Sequence, residues 1–287
     1  MMARVLPPRL GRCQLPTIRS ILLHLDGTPA SVARLTFAHA LADRHGARVT
    51  ALFGSRPRAS RAAYAYSAGA ALRAFDEEGP PHEHERDRLR DLLAERADCT
   101  WCEVAGDSLR HAFVAEAIYA DLLILGAPAG ADEEGAAPHG FVESVILESG
   151  TPAIVVPHPA RQETIGQRIF VAWNGSTSAA RALKAALPLM RSAASVHVAT
   201  FGSPPPVAPF SRLDVVAWLR RHDIDAELHA SPVAAHVAKD LVAVARAVAA
   251  DLLVMGCYGH SRTREQVFGG VTRALLANLP APTLMTH

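Results

Sequence analysis

The sequence has few cysteines, almost no net charge and no long uninterrupted apolar run. Its four cysteines among 287 residues form no regular disulfide framework. With no apolar segment typical of a signal peptide, this pattern predicts a reducing, cytoplasmic location. A net charge of +1 gives no electrostatic reason to expect nucleic acid or a membrane surface as a partner. Charged residues interrupt the longest apolar stretches, so we expect no transmembrane helix.

Several motifs of nucleotide-handling enzymes are also missing. The sequence has no Gly-x4-Gly-Lys-Ser/Thr, which excludes a P-loop NTPase. A dinucleotide-binding fold has Gly-x-Gly-x-x-Gly after its first strand, but at that place this chain has segments that begin at Asp26 and Asn174. We therefore do not expect dinucleotide binding. Neither half of the chain has the acidic cluster of a receiver domain. No nucleophile lies at a supporting spacing from a base, so we predict a non-enzyme with no catalytic residue and no metal ligand.

The chain repeats itself instead. Ala120-Asp-Leu-Leu-Ile-Leu-Gly126 matches Ala250-Asp-Leu-Leu-Val-Met-Gly256 at an offset of 130. Ile21-Leu-Leu-His-Leu-Asp26 matches Ile169-Phe-Val-Ala-Trp-Asn174 at an offset of 148, and Phe53-Gly-Ser is aligned with Phe201-Gly-Ser at that same offset. The first half is therefore longer by the difference, 18 residues. Collinear matches at two offsets indicate a tandem duplication.

Apolar runs alternate with helical patterns along both halves. We predict strands at 20–25, 49–53, 100–104, 122–125 and 153–156 and helices at 31–45, 64–97, 109–119 and 141–148, followed by strands at 168–173, 196–201, 225–229, 252–255 and 283–286. Such alternation is typical of the α/β class. It predicts two doubly wound, Rossmann-like domains, each a five-stranded parallel sheet with helices on both faces.

The domain boundaries follow from the same patterns. Residues 1–17 are predicted to be a disordered tail or a mis-assigned start, and residues 18–158 the first domain. Residues 159–167, rich in proline, glutamine and arginine, are predicted to be the linker, and residues 168–287 the second domain.

Glycines follow the predicted strand that ends at Met255. Gly256 and Gly259 begin a loop, and Gly269-Gly270 precedes a predicted helix start. Glycines let a backbone approach a ligand closely, and loop amides beside a helix N-terminus favour an anion, most often phosphate.

The spacing Gly256-x2-Gly259-x9-Gly269 resembles the nucleotide-binding signature of the universal stress protein family. This resemblance covers the chain from about residue 18 and implies two UspA-like, flavodoxin-like domains with strand order 3-2-1-4-5. It also implies ATP, with magnesium, at the carboxyl ends of strands one and four. The residues that the resemblance assigns to this cofactor are Asn174, Gly175, Val198, Met255, Gly256, Gly259, His260, Ser261, Gly269, Gly270, Val271 and Thr272.

The two halves depart from the family pattern in different ways. The second half keeps the glycines but has Gly270 where the family has Ser or Thr, and Asn174 where the family has Asp. The first half keeps Asp26, but Pro128 removes an amide donor from its loop and three nearby acids would repel phosphate. We therefore predict the nucleotide site in the second half and a degenerate site in the first.

Two functions remain open from the sequence. One is an ATP-binding stress or signalling protein that hydrolyses ATP slowly at most and acts on an unidentified protein partner. The other is a nucleotide-free tandem scaffold. In either case we expect the fifth strands, 153–156 and 283–285, to pair antiparallel as an internal pseudo-dimer or with a second chain, because each is an apolar edge.

Cys99-Thr-Trp-Cys102 has the CxxC spacing of redox and zinc sites. The pair enters a predicted strand rather than a helix, and no second CxxC completes a zinc set. Incidental packing is therefore the prediction for these cysteines.

Overall fold

The computed structural model describes residues 17–54, 81–104, 108–128, 136–138, 140–158, 165–201, 214–231, 237–257 and 270–287. In the first half the elements are β1 (Ser20–Leu25), α1 (Ala30–His45), β2 (Arg48–Phe53), α2 (Pro81–Ala94), β3 (Cys99–Glu103), α3 (Leu109–Ala117), β4 (Leu122–Gly126), α4 (Phe141–Ser149) and β5 (Ala153–Val156). In the second half they are β6 (Arg168–Ala172), α5 (Thr177–Ala185), α6 (Leu187–Met190), β7 (Ser195–Phe201), α7 (Val215–Arg220), β8 (Glu227–Ser231), α8 (Val237–Ala247), β9 (Leu252–Gly256), α9 (Gly270–Ala277) and β10 (Thr283–Thr286).

All ten strands join one sheet in the order β3-β2-β1-β4-β5-β10-β9-β6-β7-β8. Pairing is parallel within each half and antiparallel only where β5 meets β10. Buried side chains form two hydrophobic clusters that draw on alternate residues of the same strands, so each face of the sheet carries one. The predicted α/β class with a mostly parallel sheet is confirmed.

The junction between the halves is the predicted pairing of the fifth strands. Thr283, Leu284 and Met285 of β10 lie opposite Val155, Ile154 and Ala153 of β5. Both edges are thereby used within one chain, which leaves neither for the alternative pairing with a second chain. The outer strands of the sheet in the described part of the chain are β3 and β8.

The repeated Ala-Asp-Leu-Leu sequence has a structural explanation. The Asp121 carboxylate accepts hydrogen bonds from the amides of Arg19 and Ser20, at 2.8 and 3.0 Å. Asp251 accepts from the amides at 167 and 168, both at 2.9 Å. Each aspartate thus satisfies backbone donors where the first strand of its half begins, and it ties that strand to the fourth.

Sheet register corrects one alignment between the halves. The residues that occupy corresponding positions in β2 and β7 are Val49 and Val196, an offset of 147. Phe53 packs into the core on one face of the sheet, whereas Phe201 packs against the core on the other. The alignment of Phe53 with Phe201 is therefore wrong by one residue, and such a shift exchanges the faces of a strand.

Other predicted elements are found with adjusted bounds. The predicted strand at 225–229 is β8, at 227–231, because Ile224 is still buried in the core before the strand begins. Of the predicted helix at 64–97, residues 81–94 are helical and residues 64–80 lie outside the described ranges. No helix in the described ranges is both long and apolar enough to cross a membrane.

Candidate functional site

Parallel sheets of this kind bind ligands beyond the carboxyl ends of their strands, where strand order reverses. We call the space beyond β1 and β4 the first crevice, and the space beyond β6 and β9 the second crevice. Asp26 follows β1 and Asn174 lies two residues beyond β6, so each marks the corresponding position of its half.

The Asp26 carboxylate in the first crevice is buried, and its Oδ1 oxygen is bound within the protein. Its Oδ1 accepts hydrogen bonds from the Thr28 hydroxyl at 2.6 Å and the Ser31 hydroxyl at 2.9 Å. Arg34 Nη2 donates to the same oxygen at 2.5 Å, and both side chains of this ion pair are only 4% exposed. The acid that the family resemblance places near ribose or metal is thus neutralised by an arginine of its own half.

The Arg34 guanidinium lies between the exits of β1 and β4. A Cβ atom added to Gly126, at the end of β4, would lie 2.0 Å from Arg34 Nη1. Gly126 therefore leaves room for the arginine rather than for a ligand. Sequence reasoning missed this contact, although a charged residue between apolar neighbours on the buried face of α1 was a detectable signal.

Two shifted pKa values describe the electrostatics of the first crevice. Burial lowers the pKa of His24 from 6.5 to about 4, against the opposing effect of the Asp26 charge. Burial raises the pKa of Asp26, but the charges of Arg34 and His24 and the hydrogen bonds from Thr28 and Ser31 outweigh it, and the pKa falls to about 2. At neutral pH the crevice therefore holds a neutral imidazole beside a compensated carboxylate.

We expect the fold to lose stability through His24 as the pH falls from 6.5 towards 4. The unfolded chain takes up a proton at His24 near pH 6.5, whereas the folded chain does so only near pH 4. The unfolded state therefore binds more protons in this window, and the free energy of unfolding falls by about 3 kcal/mol across it.

Urea unfolding of the wild type and of His24→Gln at pH 7, 5.5 and 4 measures this effect. His39 and His45 also have lowered pKa values, so both proteins share their contribution and the difference isolates His24. Parallel pH profiles for the two proteins would contradict the prediction. Asp26 acts in a lower window, because its contribution is present above pH 3.8 and is lost towards pH 2.

A cavity of about 290 Å³ adjoins the first crevice. Asp26, Arg34 and Glu143 line it from the first half, and Asn278 lines it from the second. The volume is at the lower limit of small-molecule pockets. Asp26 and Glu143 are its carboxylates and Arg34 already neutralises the former, so the charges described in this cavity do not favour a phosphate.

The second crevice is built differently. Asn174 and Gly175 are exposed, and Asn174 Oδ1 accepts a hydrogen bond from the Ser176 amide at 3.1 Å. The Ser176 hydroxyl caps α5 by accepting from the Ala179 amide at 3.1 Å. At the position that corresponds to Arg34 the chain has Ala182, and the guanidinium of the neighbouring Arg181 donates to the His287 carbonyl, just beyond β10, at 2.8 Å.

Gly256 packs closely against the first turn of α5. A Cβ atom there would lie 2.3 Å from the Ala179 nitrogen and 2.5 Å from the Ser178 carbonyl carbon. Because these are backbone atoms, they cannot move aside as the end of a flexible side chain could. This glycine is therefore required by helix packing, whether or not a ligand lies beside it.

The other predicted binding residues of the second half divide into three groups. Val198, Met255 and Thr272 are buried, so any ligand would meet the backbone of these residues rather than their side chains. Gly270 begins α9, and an added Cβ there would have no atom of the described residues within 4 Å apart from its chain neighbours; Val271 follows it, partly buried. Residues outside the described ranges make up the third group: Gly259, His260, Ser261 and Gly269.

Cys99 and Cys102 lie on opposite faces of β3. Cys99 packs against the core, with its Sγ 3.6 Å from His39 Nε2, and Cys102 is exposed. Successive residues of a strand alternate between its faces, so side chains three residues apart diverge. The two thiols therefore cannot act together as a redox pair or as two ligands of one metal.

Comparison with known proteins identifies one half of the chain. Residues 166–287 match the model of the Universal stress protein family. A search of curated proteins found no relative. Among solved structures, a universal stress protein from Archaeoglobus fulgidus DSM 4304 is 16% identical, with 93% of this chain and 95% of that chain covered and a TM-score of 0.66.

A functionally unknown protein from Pseudomonas aeruginosa PAO1 is 15% identical, with 94% of this chain and 92% of that chain covered and a TM-score of 0.57. Identities this low show a shared fold alone, and the shared fold extends over both halves. The family match, in contrast, rests on sequence and is confined to the second half. Residues 166–287 are therefore similar in sequence to universal stress protein domains.

Proposed function

We propose that the chain is a cytoplasmic stress-signalling protein that binds ATP in the second crevice and acts on a protein partner according to its bound nucleotide. The observation that carries this proposal is a difference between the halves: the position of Arg34 in the first half corresponds to Ala182 in the second. An internal cation already neutralises Asp26 in the first crevice, whereas Asn174 in the second crevice is uncharged and exposed and its side-chain oxygen accepts from the Ser176 amide.

The chemistry around the second crevice suits a phosphate chain. Gly256 ends β9, and α9, the next described helix, begins at Gly270. Amides at a helix N-terminus favour an anion, and the open space at Gly270 admits one closely. The family match over residues 166–287 supports the same assignment.

We further propose that the protein is a binder rather than an enzyme. Fast phosphoryl transfer needs a firmly held divalent ion and a group that orients the nucleophile. Asn174 offers an amide where the family pattern has a carboxylate, and its oxygen already accepts from Ser176. We therefore expect ATP turnover well below the 1–10³ s⁻¹, roughly, of ordinary enzymes.

Calorimetry with ATP tests the proposal by a matched pair of variants. Gly259→Glu adds bulk and negative charge to the loop of the second half and is expected to abolish binding. Gly130→Glu makes the same change in the loop of the first half and is expected to leave affinity and a stoichiometry of one unchanged. Two equal sites per chain, or loss of binding only in Gly130→Glu, would sink the assignment.

A second pair of substitutions introduces the charged residues of the first crevice into the second crevice. Asn174→Asp with Ala182→Arg recreates the residue types of the ion pair of Asp26 and Arg34 in the second half. We expect this double variant to lose ATP affinity, because an internal ion pair would then occupy the crevice, and circular dichroism must first establish that it folds, since Ala182 is fully buried. Wild-type affinity in the folded double variant would show that the nucleotide lies elsewhere.

One observation favours the alternative of a nucleotide-free scaffold. The packing of Gly256 against α5 accounts for that glycine without any ligand. Denaturing the freshly purified protein and analysing the supernatant by chromatography separates the two functions. Adenine nucleotide in the supernatant supports the ATP-binding protein, whereas its absence together with no ATP binding in calorimetry supports the scaffold.

A further inference from the structure

Three metal-ligating side chains converge on one face of the sheet, at the neighbouring strands β7 and β8. In the parallel register of these strands, His197 lies opposite Glu227. His229 follows two residues after Glu227 and therefore projects from the same face. The three side chains come from two strands, and one ligand atom of each lies within 4.8 Å of the other two.

The separations between these atoms are those of a coordination site. His197 Nδ1 lies 3.1 Å from His229 Nε2, and the Glu227 carboxylate oxygens lie 3.4 Å from His197 Nδ1 and 3.8 Å from His229 Nε2. Zinc bonds of about 2.0–2.1 Å at a tetrahedral angle place neighbouring ligand atoms about 3.3 Å apart. Only small side-chain movements would be needed to bring the three atoms onto one ion.

Exposure of the cluster suits an ion that arrives from solvent. The His197 side chain is 14% exposed, His229 30% and Glu227 66%, so the site is buried towards the sheet and open on its outer side. Two imidazoles and one carboxylate are typical zinc ligands, and three protein ligands leave a fourth position for water or an external ligand.

The first half does not repeat this cluster. By sheet register, the positions that correspond to His197, Glu227 and His229 are occupied by Thr50, Thr100 and Cys102. Neither the shared fold nor the predicted nucleotide site requires ligands at these places. The cluster is thus a separate feature of the second half.

We propose that His197, Glu227 and His229 bind a divalent transition metal ion of the zinc class. The competing arrangement is a plain hydrogen bond between the two imidazoles, in which one nitrogen keeps its proton and donates it to the other. A metal instead requires both facing nitrogens to be unprotonated. The two arrangements therefore differ in a measurable property, the affinity of the folded chain for zinc.

The experiment titrates Zn²⁺ into the full chain after dialysis against EDTA, with calorimetric detection. The wild type is expected to bind zinc at this site with a stoichiometry of one. His197→Gln and His229→Gln are each expected to weaken that binding about tenfold or more, because each removes one of three protein ligands. Glu227→Gln should weaken it less, since its carboxylate is the most exposed of the three.

Two control variants each remove a metal-binding group that lies outside the cluster. His222→Gln removes an imidazole that stacks on Trp218, and Cys99→Ser removes the thiol that lies near His39. Both are expected to retain wild-type zinc affinity. Circular dichroism establishes that each variant is folded, and Glu227→Gln, altered at an exposed side chain, keeps the test valid if a histidine variant unfolds.

Several results would overturn the proposal. The first is that the wild type binds no zinc at a zinc concentration of about 1 mM. The second is that the His197→Gln/His229→Gln double variant binds zinc with wild-type affinity. The third is that Glu227→Gln leaves the zinc affinity unchanged. None of these outcomes bears on ATP binding, because the cluster shares no residue with the second crevice. The two proposals can therefore fail separately.

Discussion

Replacing Arg34 with alanine is expected to lower the free energy of unfolding by about 3–5 kcal/mol. The substitution leaves the Asp26 carboxylate buried without its cation, and the remaining hydrogen bonds from Thr28 and Ser31 do not neutralise its charge. The pKa of Asp26 should then rise, since burial would no longer be opposed by the guanidinium. Urea unfolding followed by circular dichroism measures the loss.

Two further variants separate the buried charge from the lost packing. Asp26→Asn with Arg34→Ala reproduces the combination of Asn174 and Ala182 in the second half, and removing both charges should recover part of the stability. Arg110→Ala breaks an exposed ion pair with Glu148 of 3.1 Å and should cost about 1 kcal/mol or less. A cost for Arg34→Ala no larger than that for Arg110→Ala would contradict the burial argument.

Replacing Leu284 with aspartate is expected to destabilise the protein by more than about 4 kcal/mol. Leu284 is fully buried in β10, between Ile154 of β5 and Val254 of β9. No cation lies opposite it in either register, so the carboxylate would be buried without a partner. Loosening this junction should also expose the edge of β5, which favours association between chains.

Leu228→Asp provides a matched control, because it makes the same change in a strand at a side chain that is 50% exposed. It is expected to change the free energy of unfolding by about 0.5 kcal/mol or less. Urea unfolding compares the two variants, and size-exclusion chromatography detects self-association. Equal stability of Leu284→Asp and Leu228→Asp would show that the halves do not depend on the β5–β10 junction.

Local sequence patterns were sufficient to predict the framework of this fold. Apolar runs such as Ile21–Leu25 and Leu252–Met255 are recognisable as buried strands because nearly every side chain in them is apolar. The pairing of β5 with β10 could be predicted as well, since an apolar strand at a sheet edge needs a partner.

Side-chain contacts between different elements were not predictable in the same way. The partnership of Arg34 with Asp26 depends on how α1 packs across the sheet, and local pattern does not specify that packing. The convergence of His197 with His229 depends on the register of β7 and β8, where a one-residue shift would separate the side chains. The sequence marks both groups as polar, but only the tertiary structure brings them together.

Joining both fifth strands within one chain has a genetic consequence. In a symmetric homodimer, every substitution appears twice, so a change that blocks one ligand crevice blocks both. In this chain, the two sides of the junction are encoded separately and can diverge independently. A buried cation at position 34 and a cluster of imidazoles at positions 197 and 229 each occur on one side only. Covalent linkage thus allows a substitution to alter one half and leave the other half unchanged.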